Sequence, residues 1–173
     1  MIEAGYVEVK CISKDKRIEL ASSHSLQVSL QAVASGIAGL NQRRQNMLLR
    51  VPETGDWSRF AHCSLEMEDL AFLTAATGHE FAILRGKHDD FLFHGSSRGC
   101  RFCDELEDML RSHRIEIYGH SHPGEERPIP SKEDRNALRE LGQTSSRLIS
   151  GMSGREYIFT ADEFEIYERS YTR

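Results

Sequence analysis

The segment Gly119 to Asp134 reads GHSHPGEERPIPSKED and gathers two histidines and an aspartate into one short stretch. Side chains two apart in a strand share a face. His120 and His122 therefore project together as a strand ends, able to send two ring nitrogens to one cation. Pro123 has no N–H to give and ends the ladder. Pro128 and Pro130 keep the loop extended up to Ser131, which is placed to cap a helix with Asp134 at its N3 position. A helix start set against a strand end brings Asp134 to the same cation. Two neutral imidazoles and one carboxylate leave the fourth tetrahedral position of a zinc ion open for water, the composition of a catalytic site. Ser-x-x-Asp is also an acidic capping box, so a helix start alone would account for Ser131 and Asp134. Its conjunction with His-x-His inside one loop points to a metal.

The elements that must position these residues follow from periodicity and punctuation. The chain has 173 residues, enough for one ordinary domain and short of the ~250 of a TIM barrel. From Ser64 the order is regular. SLEMEDLAFLTAATG reads as a helix with Ser64 as candidate N-cap and Gly78 as C-cap. Glu80–Gly86 and Phe91–Gly95 read as a hairpin around KHDD. CRFCDELEDMLRSH reads as a helix with acids first and bases last. IEIYGHSH is a strand, SKEDRNALRELGQTSS a helix, and RLISGM and REYIFT strands, with EIYERS as one more candidate. This order predicts an α/β fold, a mixed sheet sandwiched by helices in three layers. Residues 64–173 form that domain. Residues 1–63 are an N-terminal extension with strands at 6–12 and 17–21. Its amphipathic stripe of Leu26, Leu30, Val33, Ile37 and Leu40 packs on its own domain or serves as a homodimer seam.

Charge and cysteine content narrow the partners. Lys plus Arg number 22 against 27 for Asp plus Glu, a net charge of −5, which does not favour a nucleic-acid partner. No run approaches the ~18 apolar residues of a membrane span, and the first residues carry acids without an apolar signal core. The cysteines Cys11, Cys63, Cys100 and Cys103 are too scattered for a disulfide framework, which suits a cytoplasmic location. Cys100 and Cys103 form a Cys-x-x-Cys that reads as redox-active or as half of a structural zinc site; a closed site needs four ligands. His79-Glu80 begins a zinc-protease helix signature, but position 83 is Ile83, so the second histidine is missing. The zinc deaminase signature fails because no His-x-Glu precedes the cysteines. His24, His62, His79, His88, His94 and His113 lack ligand-like spacing. Among them His79 and His94 lie near the expected site and are candidates for supporting its ligands.

HSHP, GEERPIP and SKED together resemble the metal motif of the JAMM (MPN-plus) metallopeptidases. In that family His-Ser/Thr-His-Pro is followed by a short loop and Ser-x-x-Asp, with a glutamate further upstream. The Pro-x-Pro-Ser ending and the Lys-Glu between Ser and Asp are most similar to the bacterial branches. The resemblance covers about Ser64 to Thr160. Eight residues separate His122 from Ser131, one more than the usual seven. The resemblance implies His120, His122 and Asp134 as zinc ligands, Ser131 as the oxyanion donor, and Glu80, in EFAILRG, as the general base. Glu66 and Glu68 are weaker candidates, and Glu116 lies about 13 Å back along the ligand strand at ~3.3 Å per residue. It implies zinc-dependent hydrolysis of a peptide or isopeptide bond, in a protein or peptide substrate of which a ubiquitin-like protein is one candidate. The alternative is a catalytically idle relative that binds or assembles.

Overall fold

The computed structural model describes residues 42–162. The expected strands at 6–12 and 17–21, the helix at 26–40 with its dimer seam, and the EIYERS strand lie outside the described residues. In chain order the elements are α1 (Gln42–Leu48), β1 (Trp57–Ala61), α2 (Met67–Thr77), β2 (Phe81–Gly86), β3 (Asp89–His94), α3 (Asp104–Arg111), β4 (Ile115–His122), α4 (Lys132–Leu141), β5 (Ser145–Ser150) and β6 (Glu156–Thr160). The strands form one mixed sheet in the order β1-β3-β2-β4-β5-β6. β4 and β5 run parallel, joined by the α4 crossover, while the other neighbours are antiparallel. Among the described residues no helix is long and apolar enough to cross a membrane.

Helices cover both faces. α2 closes one with Leu70 and Leu73 against Phe81, Ile83 and Leu92. α3 closes the other with Leu106 and Leu110 against Ala82, Leu84 and Phe93, and α4 joins that side through Leu138 against Leu148 and Phe159. The sheet also reaches upstream of the expected boundary between residues 63 and 64. β1 pairs with β3, Trp57 meets Phe91 edge-on at 5.3 Å, and Met47 and Phe60 belong to the α2-side core.

Two helix starts differ from expectation. α2 is capped by Glu66, whose N–H donates to Asp69 Oδ2 at 2.9 Å. Ser64 is spent instead on the preceding turn, its Oγ donating to Ala61 O at 2.6 Å. α3 begins at Asp104, with Cys103 extended as its N-cap. Its first turn holds Asp104, Glu105 and Glu107, which suit the positive end of the helix dipole. β4 spans Ile115–His122 as predicted, and α4 starts behind Ser131 and ends at Gly142, whose φ of 64° is the left-handed conformation of a helix stop.

One irregularity decides which face the histidines occupy. Leu84 pairs with Ile117, yet Ile83 pairs with Gly119, so Tyr118 is the extra residue of a β-bulge. Ile115 and Ile117 sit in the α3-side core. Strict alternation from them would send His120 and His122 to the α2 side. The bulge keeps Tyr118 and Gly119 both on the α2 side: Tyr118 packs on that core, and a Cβ on Gly119 would meet Met67 Sδ at 2.5 Å. His120 then pairs beside Ala82 and emerges on the face shared by α3 and α4. The α2 side of the bulge is held by cations. The Arg85 guanidinium stacks 3.6 Å from the Tyr118 ring centroid, and Arg147 lies 4.7 Å from it. Arg85 also binds the fully buried Asp90 through two 3.0 Å bonds.

Gly119→Val would push a side chain into Met67 and into Arg147 Cβ, which a Cβ alone would approach to 2.9 Å. The expected cost is about 1–3 kcal/mol, the range for overpacking, read by urea denaturation; a variant as stable as wild type would contradict the tight approach.

Candidate metal centre

His120 and His122 are the last inward residues of β4, and the parallel β4-α4-β5 crossover sets the N-terminus of α4 outside that strand end. In α/β sheets such C-terminal strand ends are where ligands collect. Between the two histidines, Ser121 points to the opposite face and fixes the strand. Its buried Oγ lies 2.5 Å from Thr74 Oγ1 and accepts from Phe81 N–H at 2.9 Å. α2 and β2 thus lock the backbone that carries both imidazoles. Gly151 N–H donates to His122 O at 3.0 Å from the β5–β6 turn.

Asp134 meets them from the helix. Ser131 caps α4, accepting from Asp134 N–H through Oγ at 3.0 Å, while Ser131 N–H donates to Asp134 Oδ2 at 2.7 Å. The capping box and the cluster are therefore one construction, because the cap holds the Asp134 carboxylate facing the histidines. Asp134 Oδ1 lies 3.3 Å from His120 Nε2, and Oδ2 lies 3.5 Å from His122 Nε2. The two Nε2 atoms are 3.2 Å apart. Ligands at the ~2.0–2.1 Å of zinc, at tetrahedral angles, stand about 3.3 Å from one another. The 3.2 Å between the two Nε2 atoms matches such an edge, and each imidazole has one oxygen of the Asp134 carboxylate at a similar distance, Oδ1 for His120 and Oδ2 for His122. His120, His122 and Asp134 form a group that can hold a metal ion.

The charges agree with the geometry. Burial would push the Asp134 carboxyl upward, but its contacts with His120 and His122 and the Ser131 N–H overcome that and hold it well below the usual carboxylate range. For His122, burial lowers proton affinity, and Asp134, Glu80 and Glu125 together more than reverse it. Glu125 Oε2 stands 3.6 Å from His122 Nδ1, on the ring edge away from the cluster, and accepts from Ile129 N–H at 3.2 Å. At that separation Glu125 acts on the ring through its charge and not through a hydrogen bond. His120 has the Phe159 ring edge-on at 5.9 Å.

Glu80 precedes Phe81, whose side chain is on the α2 side, so alternation sends Glu80 to the histidine face. Its backbone is clamped to the following loop: Glu80 N–H donates to Ser96 O at 2.9 Å, and Gly95 N–H donates to Glu80 O at 2.8 Å. Burial raises its proton affinity, the fields of His122 and His120 oppose the rise, and Asp134 adds to it. Glu80 is thus half-buried and electrically coupled to all three members of the cluster. Ser131, half-buried at the same helix start, keeps its hydroxyl proton for donation, since its bond to Asp134 N–H uses a lone pair. Glu66 and Glu68 lie at the start of α2, and Glu116 is exposed on β4.

Two placements were not legible in the letters. Glu125 is one; a carboxylate three residues after a ligand histidine was its only signal. Cys100 is the other. Burial pushes its thiol well upward, with the carboxylates of Glu80 and Asp134 adding to the shift, so it borders the centre as a neutral thiol. Cys63, Cys100 and Cys103 are all free. His79 and His94 do not support the ligands. His79 Nδ1 is 2.9 Å from His94 Nε2, and His94 stacks on Phe81 at 4.3 Å, on the α2 side of the sheet. His94 Nδ1 donates to Pro52 O at 2.8 Å, and burial lowers its proton affinity. No family model matches the chain, and no characterised protein or solved structure shows significant similarity to it.

Isothermal titration with zinc should give about one site per chain for three convergent ligands, with His120→Ala and Asp134→Ala each abolishing it. Uptake unchanged in either variant would place the metal elsewhere.

Proposed function

We propose that the chain is a zinc-dependent hydrolase of peptide or isopeptide bonds, of the kind the JAMM-type motif implies. The observation that carries this reading is the convergence of one ligand atom each from His120, His122 and Asp134, all within 4.8 Å of one another, with a half-buried glutamate coupled to them. Three protein ligands of this composition suit an open, reactive zinc site rather than a closed structural one. A zinc ion there supplies a Lewis acid and lowers the pKa of water towards about 7.

The chain's own groups cover the rest of the chemistry. The Glu80 carboxylate accepts the proton of the attacking water and returns it to the leaving amine. Burial raises its proton affinity, which is the direction that favours holding the proton and then returning it. The Ser131 O–H donates to the oxyanion of the tetrahedral intermediate, and the capping box fixes its Oγ in advance. Asp134 stays ionised across the neutral range, and the Glu125 charge lies beside the far edge of the His122 ring. The segments around the motif are short, which supports a flexible peptide or a protein tail as substrate.

Glu80→Gln keeps size and hydrogen bonding but removes the base. Zinc-loaded protein incubated with a peptide library and read by mass spectrometry should show cleavage in the wild type. In Glu80→Gln the rate should fall by about 10²–10⁴ while zinc uptake stays the same. Cleavage at an undiminished rate would assign the base elsewhere. Wild-type protein that takes up zinc and cleaves nothing would instead support an idle binding module.

A further inference from the structure

α4 carries the cluster on one edge and a second feature on another. Lys132, Arg135, Asn136 and Arg139 recur at helical spacing and line one side of a shallow groove of about 310 Å³, closed by Ala161 and Asp162 beyond β6. The far end is fixed. Arg139 donates to Ala161 O at 2.9 Å, to Asn136 Oδ1 at 2.8 Å and to Asp162 Oδ1 at 3.3 Å. The near end differs: among the described residues no ion pair engages Lys132 or Arg135. Each of these cations follows a site residue directly in the chain, Lys132 after Ser131 and Arg135 after Asp134. The chain as a whole is acidic, at −5, so a concave basic stripe beside the centre runs against its average charge.

We propose that this groove receives an acidic segment of the substrate, so that carboxylates next to the cleaved bond pair with Lys132 and Arg135; this rests on the hydrolytic reading of the neighbouring site. Arg139 lies seven residues beyond Lys132 along the helix, a rise of about 10 Å at ~1.5 Å per residue. That is the length of about three extended peptide residues, so the preferred acids fall within about three positions of the bond. Peptide chemistry fits better than phosphate. Asp162 on the groove wall repels a dianion at the far end, whereas backbone amides can face Asp162 and the Asn136 side chain while the acids lie at the near end. Two cations on an acidic chain make a poor track for a nucleic-acid backbone.

Fluorescence anisotropy of the full chain, at low salt, tests this with a labelled peptide bearing three consecutive glutamates, its lysine counterpart and an oligothymidine. The glutamate peptide should bind preferentially, and added salt should weaken it. Lys132→Glu combined with Arg135→Glu should weaken it by at least about tenfold, the scale of losing two charge pairs, with zinc uptake unchanged. Equal binding of the glutamate and lysine peptides, tighter binding of the oligothymidine, or full affinity in the double variant would overturn the proposal. Zinc titration of the same preparations separates the two readings. Zinc uptake without selective peptide binding removes the groove alone, and peptide binding without zinc uptake removes its link to hydrolysis.

Discussion

Tyr118 and Gly119 place two successive residues of β4 on the same face, and the candidate centre depends on that one extra residue. Without it His120 and His122 would lie under α2, in a closed apolar core. With it they face the start of α4, where Asp134 waits. The bulge is not a loose defect. It is clamped between Met67, Arg85 and Arg147 on one side and the regular Ala82–His120 pairing on the other. Bulges re-aim side chains next to functional sites in just this way, and here the aim is held by buried bonds from Ser121 to Thr74 and to the Phe81 backbone.

The second construction is economical in parts. Ser131 and Asp134 make an ordinary reciprocal helix cap, and the same carboxylate completes the triad. A metal-free cluster of this kind still has Asp134 compensated by imidazole contacts and an N–H bond, so its carboxylate does not depend on a cation to remain ionised. The centre is therefore preorganised by packing and capping before any ligand arrives, which lowers the cost of capturing one.

Much of this was legible from residue types. The bounds of β4 followed from its strand pattern and a terminating proline, and the start of α4 from a serine cap; the expected helix ran on through Ser146, whereas α4 stops at Leu141 before the left-handed Gly142 and β5 begins at Ser145. That His120 and His122 point the same way follows from a two-residue period however the strand is turned. Which way they point was not legible, because a bulge leaves no mark beyond a glycine, and Gly119 reads equally well as a plain strand glycine. Local letters also misplaced the start of α2, since whether Ser64 caps a helix or closes the turn at Ala61 depends on the chain's path. β1 was hidden for a related reason: WSRFA becomes a strand by lying against β3. Glu125 escaped notice because its contact with His122 is made across a loop.

The proposed zinc site uses two imidazoles and one carboxylate, and no thiol, although Cys100 borders the same residues. X-ray absorption of the zinc-loaded chain distinguishes the two ligand sets. The expected spectrum shows nitrogen and oxygen neighbours at about 2.0–2.1 Å, with the outer-shell signature of two imidazoles. A sulfur shell near 2.3 Å, the distance of a zinc–thiolate bond, would contradict it.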